Sequence, residues 1–357
     1  MIVAITFVAT ALTVWLIVLT KGVHGRWTLD DELTNVQRFH DEPVPRVGGL
    51  AIIVGLMAGG IYHGLQGDHE LYQIKWAAVA ALPVFLGGLI EDLTKRFSPR
   101  DRLLLAFLSA AIAYYELRCG LTRTEWLWFD KTILSFPGVS LVLTIFMIGG
   151  VAHATNIIDG FNGLLIGFAV LALVAFAWVA NQNGLHLHFA YISIVLGTLL
   201  GILVWNFPHG KIFCGDGGAY LIGFMLAIIS LLLVKGSNSI SPWFPLLVLI
   251  YPVMETIFSM YRKKMWRGIS VSLPDGAHLH MLIYGRIVRR IGIDKKYRNA
   301  ATGVIIWLLS LSAMLPAVLW WNSTKVLLVV IALWCVAYVL LYFRLIRFAI
   351  NSSYHQC

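Results

Sequence analysis

A chain of 357 residues that is 59% apolar and only 13% charged, with a mean hydropathy of +0.79, cannot fold as one water-soluble globule, since its apolar runs approach the ~20 residues that a bilayer crossing takes. The net charge of +9 reflects 27 lysines and arginines against 18 acids, but no soluble domain is present to offer them to a nucleic acid, which excludes that class of partner. Cys119, Cys214, Cys335 and Cys357 show neither pairing nor metal-site spacing, so no disulfide is expected.

Apolar runs bounded by charges and turn residues predict about eleven membrane helices, with the shortness of the third and fourth leaving a count of ten or eleven. The first, over 2 to 20, has no positive residue before it and no small-residue cleavage site after it, and reads as a retained helix with its N-terminus outside. The second, 47 to 66, follows the polar stretch RFHDEPVPRVGG at 38 to 49. The third, 75 to 90, runs into EDLTKRFSPRDR at 91 to 102, from which the fourth, 103 to 118, departs. NIIDGFNG at 156 to 163 joins the fifth (138 to 155) to the sixth (163 to 180), and CGDGG at 214 to 218 lies between the seventh (188 to 204) and the eighth (218 to 234). The ninth, 243 to 261, enters a basic run from Arg262 to Arg298 that contains PDGAHLH, and helices at 301 to 320 and 326 to 343 complete the set.

Threaded from an outside N-terminus, this order puts every polar stretch on one side together with 21 of the 27 lysines and arginines, as the positive-inside rule requires of the cytoplasmic face. The expected fold is therefore all-α: a polytopic integral membrane protein, residues 1 to 357 forming a single membrane domain with cytoplasmic catalytic loops. A carrier for a lipid-linked sugar or nucleotide sugar, the alternative, calls for ionisable groups inside the spans, and these are nearly absent apart from Glu255, close to Pro252. An enzyme that joins a lipid-borne group to a soluble donor needs its polar residues at one surface, which is the pattern here.

Each polar stretch offers a particular chemistry beside a bland alternative. Glu91 and Asp92, followed by Lys95, Arg96, Arg100 and Arg102, supply hard oxygens for Mg²⁺ or a base beside phosphate-holding cations, although acids and bases also mark an ordinary solvated helix end. Asn156, Asp159, Gly160, Asn162 and Gly163 allow close backbone approach to a ligand, or simply make a turn. In CGDGG, Asp216 can bind a metal or cap a helix, and the glycines leave helix N-terminal amides open to anionic oxygens. His278 and His280 share a side only if their segment is extended; with no third soft ligand nearby, phosphate contact is favoured over zinc.

Taken together and in this order, these stretches resemble the polyprenyl-phosphate N-acetylhexosamine-1-phosphate transferase family from about Arg38 to about Arg290. HDEPVPRVGG is similar to its first cytoplasmic loop, GLIEDL to its acidic pair, NIIDGFNGL to its Asn/Asp-Gly loop, FCGDGGAYLIG to its Asp-Gly helix start and WRGISVSLPDGAHLH to its histidine loop. Glu91 stands where Asp is usual, Asn162 where a second acid is common, Met281 where many relatives have His and His153 where many have Asn. These departures point away from the muramoyl-pentapeptide branch.

The resemblance implies transfer of a sugar 1-phosphate from a UDP-N-acetylhexosamine to undecaprenyl phosphate, with release of UMP, in the inner membrane of a bacterium. It further implies Mg²⁺, with Mn²⁺ as an alternative, held by Asp216 and Asn156. Glu91, Asp92, Asp159 and Asp216 would be catalytic. Asn156 and Asp159 would bind donor or metal, Gly160, Phe161 and Asn162 would lie near the uracil, Arg267, His278 and His280 would contact diphosphate or sugar, Lys95 would contact phosphate, and Arg46 would bind substrate. Membrane lipids are implied as surroundings, and a homodimer as the assembly. Neither the sugar nor the glycan pathway can be read from the residues.

Overall fold

The computed structural model describes residues 1–29, 43–66, 71–266, 268, 270 and 276–354. The chain is a bundle of helices, as expected where a backbone in lipid must satisfy its own hydrogen bonds. α1 (Ile2–Leu19) and α2 (Lys21–Thr28) precede α3 (Gly48–Leu65); α4 (Leu71–Thr94) pairs with α5 (Pro99–Glu116), and short α6 (Leu127–Thr132) leads into α7 (Pro137–Ile158). A short turn joins α8 (Leu164–Gln182) to α9 (His186–Asn206), and a longer loop over 207–214 leads to α10 (Gly215–Gly236). After α11 (Trp243–Val248), α12 (Ile250–Tyr261) and α13 (Leu279–Ile283) come the long helices α14 (Lys295–Leu319) and α15 (Thr324–Tyr354).

All the predicted segments are helical, and the all-α, multi-pass membrane architecture holds. Among the described residues, nine helices are individually long and apolar enough to cross a membrane. α5 is not one of them because Arg100, Asp101, Arg102 and Glu116 fall within it. The predicted helix at 243 to 261 is broken in two. Pro252 cannot donate to the Val248 carbonyl and its ring crowds it, so one helix stops at Val248 and the next begins at Ile250.

The bundle is organised around α10, which packs against α3, α4, α7, α8 and α9 and is buried along almost its whole length. A helix apolar on every side belongs in such a centre. Its N-terminal turn meets α3 and α4 backbone to backbone: a Cβ on Gly88 would sit 2.3 Å from the Gly217 nitrogen, and one on Gly49 would sit 2.7 Å from the Gly218 nitrogen. At its other pole, Arg123 donates to the carbonyls of Val234, Ser237 and Ile240 at 3.1, 2.9 and 2.6 Å, a cation placed where the helix dipole favours one.

Gly88→Ala is therefore expected to lower the thermal midpoint of the detergent-solubilised protein, at a cost of ~1–3 kcal/mol, because helix backbone cannot swing aside as a side chain can. Gly150→Ala, where a Cβ meets nothing within 4 Å, serves as the control and should not lower it. Equal midpoints for the two variants would contradict this packing.

Candidate active site

The C-terminal ends of α4 and α7 and the N-terminal ends of α3, α5 and α10 come together on one side of the bundle. Asp92, buried in the last turn of α4, accepts hydrogen bonds from the Asp216 and Gly217 amides, both at 2.9 Å, through its two carboxylate oxygens. Gly215 makes this approach feasible: at φ +68°, a Cβ there would lie 2.4 Å from Asp92 Oδ2 and 2.0 Å from the Arg46 carbonyl oxygen. This corrects the expectation that the glycine-flanked helix start leaves its amides open to a ligand. Buried first-turn donors need an acceptor, and a carboxylate from the neighbouring helix provides it with the charge the dipole prefers. Glu91 does something different. Its Oε2 accepts from the Phe97 amide at 2.8 Å, so it shapes the turn after α4.

With its backbone tied to Asp92, Asp216 presents its side chain to two cations. Its carboxylate pairs with Arg46 at 3.5 Å and with Arg102 from the first turn of α5. The Arg102 guanidinium also lies 5.9 Å from the centre of the Tyr220 ring, whose hydroxyl bonds His153 Nδ1 at 2.8 Å. The sequence reading placed Arg102 only within a basic stretch and singled out Lys95 instead; Lys95 is exposed at the turn, at φ +56°. Nothing in the local pattern separates the two, because only the direction in which α5 leaves the turn brings Arg102 inward.

Asp159 caps the C-terminus of α7, one turn beyond Asn156, whose carbonyl accepts from its amide at 3.3 Å. Burial pushes the Asp159 carboxyl up to about 7, while the charge of Arg46 works in the opposite direction. Burial first, then the charges of Asp159 and Asp92, raise the Cys214 thiol well above its usual range. Asp92 and Asp159 both act on Cys214 through their charge, and Arg46 acts on Asp92 and Asp159 through its charge and on Asp216 by direct pairing.

The turn after Asp159 is held from outside. The Asn162 amide donates to Asn299 Oδ1 at 2.5 Å and its Nδ2 to the Pro208 carbonyl at 2.9 Å, while the Gly163 amide donates to Asn206 Oδ1 at 2.5 Å. Trp307 Nε1 bonds the Gly163 and Leu164 carbonyls, each at 3.2 Å. Asn162, expected near a base, is buried and committed to packing through its Nδ2. Asn206, Asn299 and Trp307 escaped the sequence reading because their partners are distant in the chain; the available hint was a polar residue near the end of an apolar helix.

The histidine motif closes over this turn. His278 lies in extended backbone just before α13, and the His278 and His280 rings stack at 5.4 Å with 7° between their planes. His280 Nδ1 meets the Tyr251 hydroxyl at 3.1 Å, and Phe161 sets its ring edge-on to His280 at 5.7 Å. Burial holds the His280 imidazole down to about 3, which keeps it neutral near pH 7. Among the described residues its buried Nε2 has no hydrogen-bond partner, and it would lie 3.6 Å from a Cβ on Gly160. His278 Nδ1 pairs at 2.9 Å with Oε1 of Glu255, the residue that had suggested a carrier. Arg267 lies outside the described residues.

Residues 74–234 match glycosyl transferase family 4. The chain is 26% identical over 341 residues to a probable undecaprenyl-phosphate N-acetylglucosaminyl 1-phosphate transferase of Bacillus subtilis, covering 94% of this chain and 91% of that protein. It is 28% identical over 260 residues to the undecaprenyl-phosphate alpha-N-acetylglucosaminyl 1-phosphate transferase of Escherichia coli K12, covering 70% and 67%. A phospho-N-acetylmuramoyl-pentapeptide-transferase of Bacillus cytotoxicus is 28% identical over 197 residues, covering 53% and 61%. The first relative covers far more of the chain than the muramoyl one does.

Proposed function

The chain carries a glycosyl transferase family 4 domain over residues 74–234, and from that premise we propose that it transfers an N-acetylhexosamine 1-phosphate from a UDP-sugar to undecaprenyl phosphate, releasing UMP and starting a lipid-linked surface glycan. The observation that carries this reading is Asp216, held through its backbone by Asp92 and through its carboxylate by Arg46 and Arg102, at one end of a multi-pass bundle, with Asp159 under the charge of the same Arg46. The names of the relatives, which specify undecaprenyl-phosphate transferases, support it. The site faces the cytoplasm of a bacterial inner membrane, the side to which most of the positive charge is assigned.

The task is to hold two anions together. Arg46 and Arg102 each engage the Asp216 carboxylate, and among the described residues Arg102 Nε is buried without a hydrogen-bond partner, a donor that a phosphate oxygen could take. Magnesium fits the donors present. Among the described residues no three His, Cys, Asp or Glu side chains cluster into a metal cage, but Mg²⁺ characteristically takes one or two carboxylates plus waters and substrate phosphates. Asp216 and the Asn156 side-chain oxygen would hold it, and when bound it would offset diphosphate charge as the lipid phosphate attacks the β-phosphorus.

Asp92 acts through structure, fixing the backbone from which the Asp216 side chain projects. The Asp159 turn lies under His280, whose neutral ring can engage an uncharged or anionic group without adding charge of its own. Lys95, at the rim, is placed to draw phosphate in from solvent.

Purified protein with Mg²⁺, undecaprenyl phosphate and a panel of UDP-sugars is expected to release UMP with at least one UDP-N-acetylhexosamine, and to stop when EDTA is added. Transport of a sugar conjugate into liposomes with no UMP release from any donor would overturn this in favour of a carrier.

A further inference from the structure

Glu255 is the most enclosed acid on the catalytic side of the bundle, with no exposed surface, and four hydrogen bonds converge on its carboxylate. His278 Nδ1 lies 2.9 Å from Oε1, the Leu279 amide donates to both oxygens at 3.2 Å, and the Tyr338 hydroxyl donates to Oε2 at 2.8 Å. The Leu279 amide and the Tyr338 hydroxyl between them donate to both oxygens, the arrangement that suits an ionised carboxylate accepting at both ends. Tyr338 comes from α15, more than eighty residues along the chain. A second clamp from the same helix grips the residue just before His278: the Tyr342 hydroxyl donates to the Ala277 carbonyl at 3.0 Å, and Arg262 donates to that carbonyl at 2.8 Å and to the Tyr342 oxygen at 2.6 Å.

From this geometry we infer that Glu255 is a positioning residue for the transfer reaction: anchored by Tyr338, it fixes the His278 ring and assigns the proton to Nδ1, so that Nε2 is the nitrogen presented to the donor diphosphate. The inference rests on the transferase reading and adds to it a residue that the polar motifs do not contain. A histidine whose Nδ1–H is held by a carboxylate has one tautomer when neutral, and its protonated form is stabilised beside that charge. Either way the ring cannot flip without breaking the bond to Glu255. α15 then has a task beyond crossing the membrane, since its two tyrosines brace the short segment that carries the histidines.

The test is a double-mutant cycle on the full chain, measuring UMP release with Mg²⁺, undecaprenyl phosphate and UDP-N-acetylglucosamine, or whichever UDP-sugar the panel identifies. Glu255→Gln keeps the shape and is expected to lower kcat/KM by about 10- to 100-fold, as loss of a partner that orients a functional histidine does. In a His278→Ala background the same change should cost almost nothing further, because a residue acting through His278 has no effect once His278 is gone. Losses that multiply in the double variant, or an unaffected E255Q, overturn the inference. If E255Q does not yield monodisperse protein, Tyr338→Phe replaces it in the cycle with the same expectation of non-additivity, and additivity there overturns it equally.

A readout without turnover separates this inference from the reading beneath it. In ¹⁵N-histidine-labelled protein, a protonated Nδ1 resonance that is lost in His278→Ala should shift in E255Q; a resonance that E255Q leaves unmoved overturns the placement. Absence of UMP release by the unaltered protein with every donor overturns the transferase reading and the catalytic half of the inference, while a shifted resonance in that case still supports the Glu255–His278 pairing.

Discussion

Asp216→Asn is expected to reduce kcat for UMP release by ~10²–10³-fold, the scale on which loss of one preorganised electrostatic group is felt, while leaving yield and monodispersity close to those of the parent. The expectation of intact folding follows from which atoms Asp92 uses. It accepts from the backbone amide of Asp216, so the link between α4 and α10 survives any change of the Asp216 side chain. What disappears is the charge that holds Arg46 and Arg102 and the hard oxygen proposed above as a Mg²⁺ ligand. Titrating Mg²⁺ separates these losses, since a metal-ligand role raises the concentration needed for half-maximal rate. Turnover by D216N at the parent rate would remove Asp216 from the chemistry.

Asp92→Ala carries the largest expected effect on stability. Two buried amides lose their acceptor, at ~1–3 kcal/mol for each donor left unsatisfied, and the positive pole of α10 loses its compensating charge. Asp92→Asn keeps one acceptor oxygen and so should fall between alanine and the parent in thermal midpoint. Both variants should lose activity, but for a different reason from D216N: the platform carrying Asp216 shifts. Thermal unfolding in nanodiscs with the three proteins side by side is the measurement, and an alanine variant as stable as the parent would show that the carboxylate does not secure the helix.

Much of this arrangement was legible in the residues. Alternating membrane crossings put Asp92, Asp159 and Asp216 at the same end of the bundle, and the apolar runs located the long helices, although α14 begins at Lys295 and α15 runs on to Tyr354, and the short α2 and α6 gave no apolar signal. The break between Val248 and Ile250 was foreshadowed by Pro252 but obscured by an unbroken apolar run. The glycines misled. Gly217 and Gly218 suggested amides open to a ligand, yet with Gly49 and Gly88 they serve close contact between helices, because a missing Cβ looks the same whatever comes near it. Glu255 stood out as an acid within apolar sequence, but its meaning depended on Tyr338 and His278, which only folding brings to it. Asn162 was judged by its neighbours in the loop, whereas Pro208 and Asn299, contributed by separate elements, decide its role.

The central helix is fastened at both poles by charges belonging to other parts of the chain, Asp92 at its start and Arg123 at its end. Moving α10 along its own axis in either direction breaks bonds at both faces of the membrane at once, with no slack in the glycine contacts to absorb the travel. Axial sliding of α10 is thus opposed from both of its ends, by bonds that belong to different elements of the bundle.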